Sequence, residues 1–253
     1  MPRSLFAGTE VQSGCTFVPQ TAIFQWRRDT VSTVNDQASL RELASRVDTC
    51  AICDVAKDTR AMSPALRCRS ANPDLCGPAL TVRCRDDFFG LVLAIERASP
   101  GDVIVVDGGG RETALAGELF ARAALARGIA GLIVDAAYRD LAFVATCQLP
   151  IYSRYVSPMA GTAQRLGAIN EPVTCGGVTV CPGDLVIGDR DGIIVLDPAT
   201  AEATLSAAAD VKQAEARVVA RLAAGGSLRD CLNVDDHAGR LAAGEPSTLR
   251  ITA

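Results

Sequence analysis

The chain has 253 residues, 49% of them hydrophobic and 21% charged, a composition ordinary for a globular protein and ample for a core. Its formal net charge of −4 supplies no basic field for nucleic acid or for an anionic membrane, so an anionic substrate has to be held by local groups. No window approaches the roughly 18 apolar residues of a transmembrane span. Residues 1–15 also lack a signal-peptide core, so the chain is expected in the cytoplasm, with no nucleic-acid or membrane partner.

Residues 1–37 show no clean period and contain the single tryptophan, Trp26; they are expected to be an N-terminal extension. Leu40, Leu43, Val47, Ile52 and Val55 predict one or two helices between Ser39 and Lys57. Cys50 and Cys53 form the only close pair among ten cysteines. Cys68, Cys76 and Cys84 add no second CxxC, so a zinc ribbon is not expected. At about 4% of the chain the cysteines fall below the roughly 8–10% of a disulfide scaffold, and most are expected to be reduced and buried. Pro64, Pro73 and Pro78 mark a loop-rich connection ending in a strand at Ala79–Arg83, and Asp87–Arg97 is expected to be helical.

The informative stretch runs from Val103 to Asp140. The β-branched run Val103–Val106 predicts a buried strand, broken by Asp107 and three glycines, Gly108 to Gly110. An Ala/Leu/Glu/Arg-rich helix is expected from about Gly117 to Arg127, stopped by Gly128. Leu132–Val134 predicts a second strand, after which Asp135, Tyr138, Arg139 and Asp140 are expected to be exposed. Strand, helix and strand at this spacing make a βαβ unit, whose two strand-end loops meet at one sheet edge. With Gly117 at the helix boundary, the amides of Glu118, Leu119 and Phe120 lack intrahelical acceptors and face the positive end of the helix dipole, a ready anion site. Arg139 suits a carboxylate or developing oxyanion. Asp140 and Glu118 are hard oxygen donors of the kind Mg2+ or Mn2+ takes. A turn, a helix cap and a solvated arginine would explain the same residues individually.

Leu149–Tyr152 predicts a further strand. Between Pro172 and Leu196, the turn signals Gly176-Gly177, Pro182-Gly183 and Asp191-Gly192 predict hairpins. Pro198–Ala223 predicts one long helix, suited to an amphipathic tail or to an arm packed on another subunit. His237, the single histidine, falls in a polar stretch and is expected at the surface, which leaves a triad hydrolase or a multi-histidine metal site without support.

Pro100-Gly-Asp102, Val105-Val-Asp-Gly-Gly-Gly110, Gly117-Glu118, Val134-Asp135 and Arg139-Asp140 together resemble the RraA-like family. Asn170-Glu-Pro-Val173, Cys175-Gly-Gly-Val-Thr179, Pro182-Gly-Asp184 and Asp189-Arg-Asp-Gly192 match its pattern downstream. The resemblance spans roughly residues 39–225, and its most specific part is Glu118, twenty intervening residues, then Arg139-Asp140. It implies an α/β fold, an RraA-like swivelling β/β/α domain over residues 38–197 with a C-terminal helical arm and tail over 198–253.

It also implies a divalent-metal-dependent pyruvate aldolase, like the family's 4-hydroxy-4-methyl-2-oxoglutarate/4-carboxy-4-hydroxy-2-oxoadipate aldolases. Such an enzyme cleaves a 4-hydroxy-2-oxo acid to release pyruvate through an enolate, with oxaloacetate decarboxylation as a second activity. Carried over residue by residue, Asp140 would ligate Mg2+ or Mn2+, and Glu118 would act on that ion through water and help proton transfer. Arg139 would bind the 2-oxo acid and support the enolate. Gly117 and the amides of Leu119 and Phe120 would hold the substrate carboxylate. Glu215 would complete the site of a neighbouring subunit, again through water, in a homotrimer or homohexamer. With Lys57 and Lys212 as the only lysines, neither beside the motif, an imine route has no support. Tyr155 departs from the family, where many relatives carry glycine. Arg154 could grip a distal carboxylate or lie at the surface. The alternatives are a non-catalytic regulator that binds a ribonuclease, and a related aldolase or decarboxylase recruited to a specialised pathway. The family's regulators lack an acid at the position of Asp140. An older family label, menaquinone methyltransferase, has no methyl-donor site to support it here.

Overall fold

The computed structural model describes residues 34–252. The expected N-terminal extension, Trp26 included, lies outside the described residues as far as residue 33. The first described helix, α1 (Val34–Ala44), begins inside the stretch assigned to that extension. A second helix, α2 (Thr49–Val55), starts where the Asp48 side chain accepts the Ala51 amide at 2.8 Å, a side-chain cap for an otherwise unpaired donor.

The strands are β1 (Arg60–Ala61), β2 (Arg67–Cys68), β3 (Leu75–Arg83), β4 (Val103–Asp107), β5 (Ala114–Ala116), β6 (Gly131–Tyr138), β7 (Ile151–Val156), β8 (Ala168–Ile169), β9 (Val173–Cys175), β10 (Val178–Val180), β11 (Leu185–Gly188) and β12 (Ile193–Leu196). Ten of them form a mixed sheet in the order β1-β12-β11-β3-β4-β6-β7-β2, with β5 added beside β6 and β8 beside β3. The β9–β10 hairpin forms a separate two-stranded sheet. Strands β3, β4, β6 and β7 are mutually parallel. Both faces of β4 and β6 are buried along their whole length, which is why their sequences are apolar without alternation.

On one face, helices α3 (Phe89–Arg97) and α4 (Glu118–Ala126) cover Leu80, Val82, Ile104, Val106, Leu132 and Val134. On the other, the hairpin closes over Val103, Val105, Ile133 and Tyr152. A third cluster joins Ile187, Ile194 and Leu196 to Ala201, Leu205 and Ala208 of the long helix α6 (Pro198–Ala223). Asp197 caps that helix and Pro198 occupies its first turn, a pairing that starts a helix efficiently. The 26-residue helix is about 39 Å long at 1.5 Å per residue. Only its first half is well covered; Val219 is 64% exposed.

One expectation needs correction. Asp135 and Tyr138 are not exposed: both lie inside β6, with Tyr138 fully buried. His237 sits on a further helix, α7 (Val234–Ala242), which has no buried residues, with Nδ1 2.9 Å from Ser247 Oγ. Between the glycine run and α4 the chain forms β5. Among the described cysteines, eight are free thiols and Cys181 is disulfide-bonded. Burial pushes the Cys84 thiol up to about 12, so it is unreactive near neutrality.

The ends of the parallel strands carry a transverse row of charge. Arg83 stands opposite Asp107, and one residue beyond the pairs Val106–Val134 and Val134–Ser153 come Asp107, Asp135 and Arg154. Arg83 and Arg85 both reach Asp107 Oδ2, at 3.2 and 3.3 Å. Arg154 binds Asp135 Oδ1 at 2.5 Å, and Gly176 N binds its other oxygen at 2.8 Å. Removing one partner from a buried pair of this kind costs about 3–5 kcal/mol, because the remaining charge is stranded.

A loop from Ser157 to Gly167 crosses the same edge, tied down by Asp87. This carboxylate accepts from Thr162 Oγ1 at 2.7 Å, Gln164 N at 2.6 Å and Phe89 N at 3.1 Å. Burial works against its ionisation, but these hydrogen bonds outweigh it and bring the pKa down to about 2. A depressed carboxylate pKa stabilises the fold above the unfolded value of 3.8, and that contribution fades as pH falls through the folded value. Asp87→Asn should therefore lower the urea midpoint at pH 6, and its deficit against the wild type should shrink towards pH 2. A deficit that stays constant from pH 6 to pH 2 would remove Asp87 as the anchor.

Candidate active site

The site forms where β5 and β6 end side by side. Ala116 pairs with Tyr138, and the next amide, Arg139 N, bonds Ala116 O at 3.0 Å. Tyr138 Oη donates to Gly117 O at 3.0 Å. Burial, with smaller contributions from Cys147 and Asp140, holds its phenol far above the usual tyrosine range, so it remains a donor. Asp140 then turns into the left-handed region, φ 61°, a conformation that aspartate tolerates better than most side chains. Its carbonyl accepts the amides of Phe143 and Val144 in the short helix α5 (Leu141–Val144).

That turn brings the Asp140 carboxylate against the start of α4. Its Oδ2 accepts the Glu118 amide at 3.0 Å, placing negative charge at the positive end of the helix dipole. Gly117 allows the approach. Its backbone is ordinarily extended, φ −162°, but a Cβ there would lie 2.2 Å from Asp140 Oδ2 and 2.9 Å from Arg139 Cγ.

The expected three free amides are thus two. Glu118 N is occupied by Asp140, whereas Leu119 N and Phe120 N have no acceptor among the described residues. Leu119 is 76% exposed, and Phe120 is steadied by an edge-on contact with Phe88 at 5.7 Å. Arg139 lies alongside, with Nε 3.7 Å from Asp140 Oδ2 and the side chain half-exposed. Asp140 Oδ1 has no partner among the described residues. Nor does any group of three or more His, Cys, Asp or Glu able to enclose a metal occur among them.

Gly117, Glu118, Leu119, Phe120, Arg139 and Asp140 therefore share one edge. Glu215 does not join them within a single chain: it pairs with Lys212 at 2.9 Å, and Lys212 in turn binds Asp48 Oδ2 at 2.7 Å. Arg154 is committed to Asp135. Sequence reasoning missed Arg122, which grips Glu118 Oε1 through Nε and a terminal nitrogen at 2.8 and 2.7 Å. The i,i+4 spacing of Glu118 and Arg122 was a usable signal. The placement of Arg122 4.2 Å above the Phe143 ring had none.

Residues 49–195 match the family described as RraA-like, Aldolase/RraA. Over 171 residues, 67% of this chain and 81% of the relative, the chain is 36% identical to a Halalkalibacterium halodurans protein named "Putative 4-hydroxy-4-methyl-2-oxoglutarate aldolase". Among solved structures, it is similar to one described as an S-adenosylmethionine:2-dimethylmenaquinone methyltransferase from Geobacillus kaustophilus. There the TM-score is 0.57 at 30% identity, over 59% of this chain and 94% of that one. It is also similar to the RNA-processing inhibitor RraA from Thermus thermophilis, with a TM-score of 0.55 at 29% identity, over 58% and 91% of the two chains.

Because the crowding at Gly117 is steric, Gly117→Ala should cost about 1–3 kcal/mol, the usual penalty for overpacking a filled site. Denaturant unfolding measures this directly. An unchanged stability would mean that Asp140 moves aside freely and that the approach is not tight.

Proposed function

The chain belongs to the RraA-like, Aldolase/RraA family, and from that premise we propose that it is a divalent-metal-dependent lyase that cleaves a 4-hydroxy-2-oxo acid to pyruvate. The observation that carries this reading is the convergence of the Asp140 carboxylate, whose Oδ1 has no partner among the described residues, the Arg139 guanidinium and two free helix-end amides. A cation suits this donor set only if it keeps most of its waters. Mg2+ and Mn2+ do so, whereas a structural zinc takes four protein ligands.

When bound at Asp140, such a cation supplies Lewis-acid polarisation of the 2-oxo group. The chain's own groups do the rest. Leu119 N and Phe120 N hold the substrate carboxylate at the positive end of α4. Arg139 faces the oxygen on which charge builds as the C3–C4 bond breaks, so its contribution is larger in the transition state than in the ground state. Glu118 keeps Oε2 available, since Arg122 occupies Oε1, and this oxygen receives the 4-hydroxyl proton through water. Collapse of that alkoxide into a carbonyl releases the second product, and protonation at C3 completes pyruvate. Oxaloacetate decarboxylation needs the same enolate without the hydroxyl proton, so it follows as a second activity. Glu215 is assigned to the equivalent site of a neighbouring subunit, in a trimer or hexamer.

The similarity to the Thermus inhibitor keeps a regulatory reading in play, a chain that binds a ribonuclease without catalysis. Asp140 favours the enzyme, because the resemblance implies that the family's regulators lack an acid at this position.

A coupled pyruvate assay over 4-hydroxy-2-oxo acids and oxaloacetate, with and without Mg2+ or Mn2+, tests the proposal. Metal-dependent release is expected, reduced at least 100-fold in Asp140→Ala; full activity in that variant would remove the metal assignment. Light scattering should return a trimer or hexamer, and a monomer that is fully active would rule out a site shared through Glu215.

A further inference from the structure

We propose that Arg122 is a positioning residue of this site, fixing where the Glu118 carboxylate stands relative to Asp140. This rests on the function proposed above and goes beyond it in naming what holds the acid in place. Glu118 begins α4, and Asp140 precedes α5; the Arg122 side chain, itself on α4, touches Glu118 and reaches Phe143 of α5. Through Nε and a terminal nitrogen it grips a single oxygen, Glu118 Oε1, at 2.8 and 2.7 Å. Its guanidinium carbon sits 4.2 Å from the centroid of Phe143, and Phe143 N bonds Asp140 O at 3.1 Å. The path Glu118–Arg122–Phe143–Asp140 thus closes a ring around the site, with the Glu118 N–Asp140 Oδ2 bond of 3.0 Å as its fourth side.

Two features argue for a role in orientation. The pair is open to solvent, with side-chain exposures of 58% for Arg122 and 38% for Glu118, and an exposed i,i+4 pair adds little to folding stability. The geometry is also more specific than an ion pair requires. Both contacts fall on one carboxylate oxygen, Oε1, and the Phe143 ring gives the same guanidinium a second hold. A planar fork delivers this restraint, whereas a lysine ammonium would act as a point charge without a preferred plane.

The test uses the full-length chain, with Mn2+ as probe and the most active acid of the pyruvate panel as substrate. Arg122→Met should lower kcat about 10- to 100-fold, the range typical when a partner of a metal-site group is lost, with KM changed less than twofold. Mn2+ binding, followed by electron paramagnetic resonance without substrate, should weaken several-fold, while the melting temperature stays within a few degrees. Arg122→Lys should recover part of kcat. Phe143→Leu, which keeps the ion pair and removes the ring, should lower kcat in the same direction and serves if Arg122→Met fails to fold. Wild-type kcat and Mn2+ affinity in Arg122→Met would overturn the inference and leave the proposed function intact. A wild-type chain that neither binds Mn2+ nor releases pyruvate would overturn the proposed function instead.

Discussion

A single close approach governs this site: the Asp140 carboxylate lies in the space a side chain at position 117 would fill. The contact has two consequences. It satisfies the first free amide of α4 with a negative charge at the favourable end of the helix. It also leaves the other carboxylate oxygen without a partner among the described residues, while Arg139 Nε stands 3.7 Å from the bonded one. The left-handed turn at Asp140 is held on both sides, by the Arg139 N–Ala116 O bond before it and by two amides of α5 on its own carbonyl. The left-handed conformation is therefore set by the ends of β5 and β6 and by α5.

Charge is organised in the same way along the rest of the edge. The chain is acidic overall, yet Arg83, Arg85, Arg139 and Arg154 gather where the parallel strands end. Two of the carboxylates that draw them there, Asp107 and Asp135, are buried, so each demands a partner. Asp107 takes two guanidiniums on one oxygen. Asp135 takes one guanidinium and a hairpin amide, and its own carbonyl accepts Gly110 N at 2.9 Å. The glycine loop is consequently tied to β6. The edge thus carries local positive charge that the net charge conceals.

The long helix joins this body through small and apolar side chains, Ala201, Leu205 and Ala208, and through the Lys212–Asp48 pair. Beyond that pair it turns apolar residues such as Val219 outward. Glu215 belongs to the same charged group, paired with Lys212 at 2.9 Å.

Much of this was legible in the residues themselves. The runs Val103–Val106 and Pro198–Ala223 declare a buried strand and a long capped helix, because local propensity and periodicity agree with the fold there. The motif of Glu118, Arg139 and Asp140 identified the family and the edge of the sheet. What local pattern could not carry was orientation. Asp135 and Tyr138 follow a strand in a polar-looking stretch, but β7 and β5 extend the sheet beside them and bury both. Asp140 takes one of the three amides that chain order alone left free, and Arg122 meets Phe143 across 21 positions of sequence. These are contacts between elements distant along the chain, made only when the ends of β5 and β6 come into register, and no periodicity encodes them.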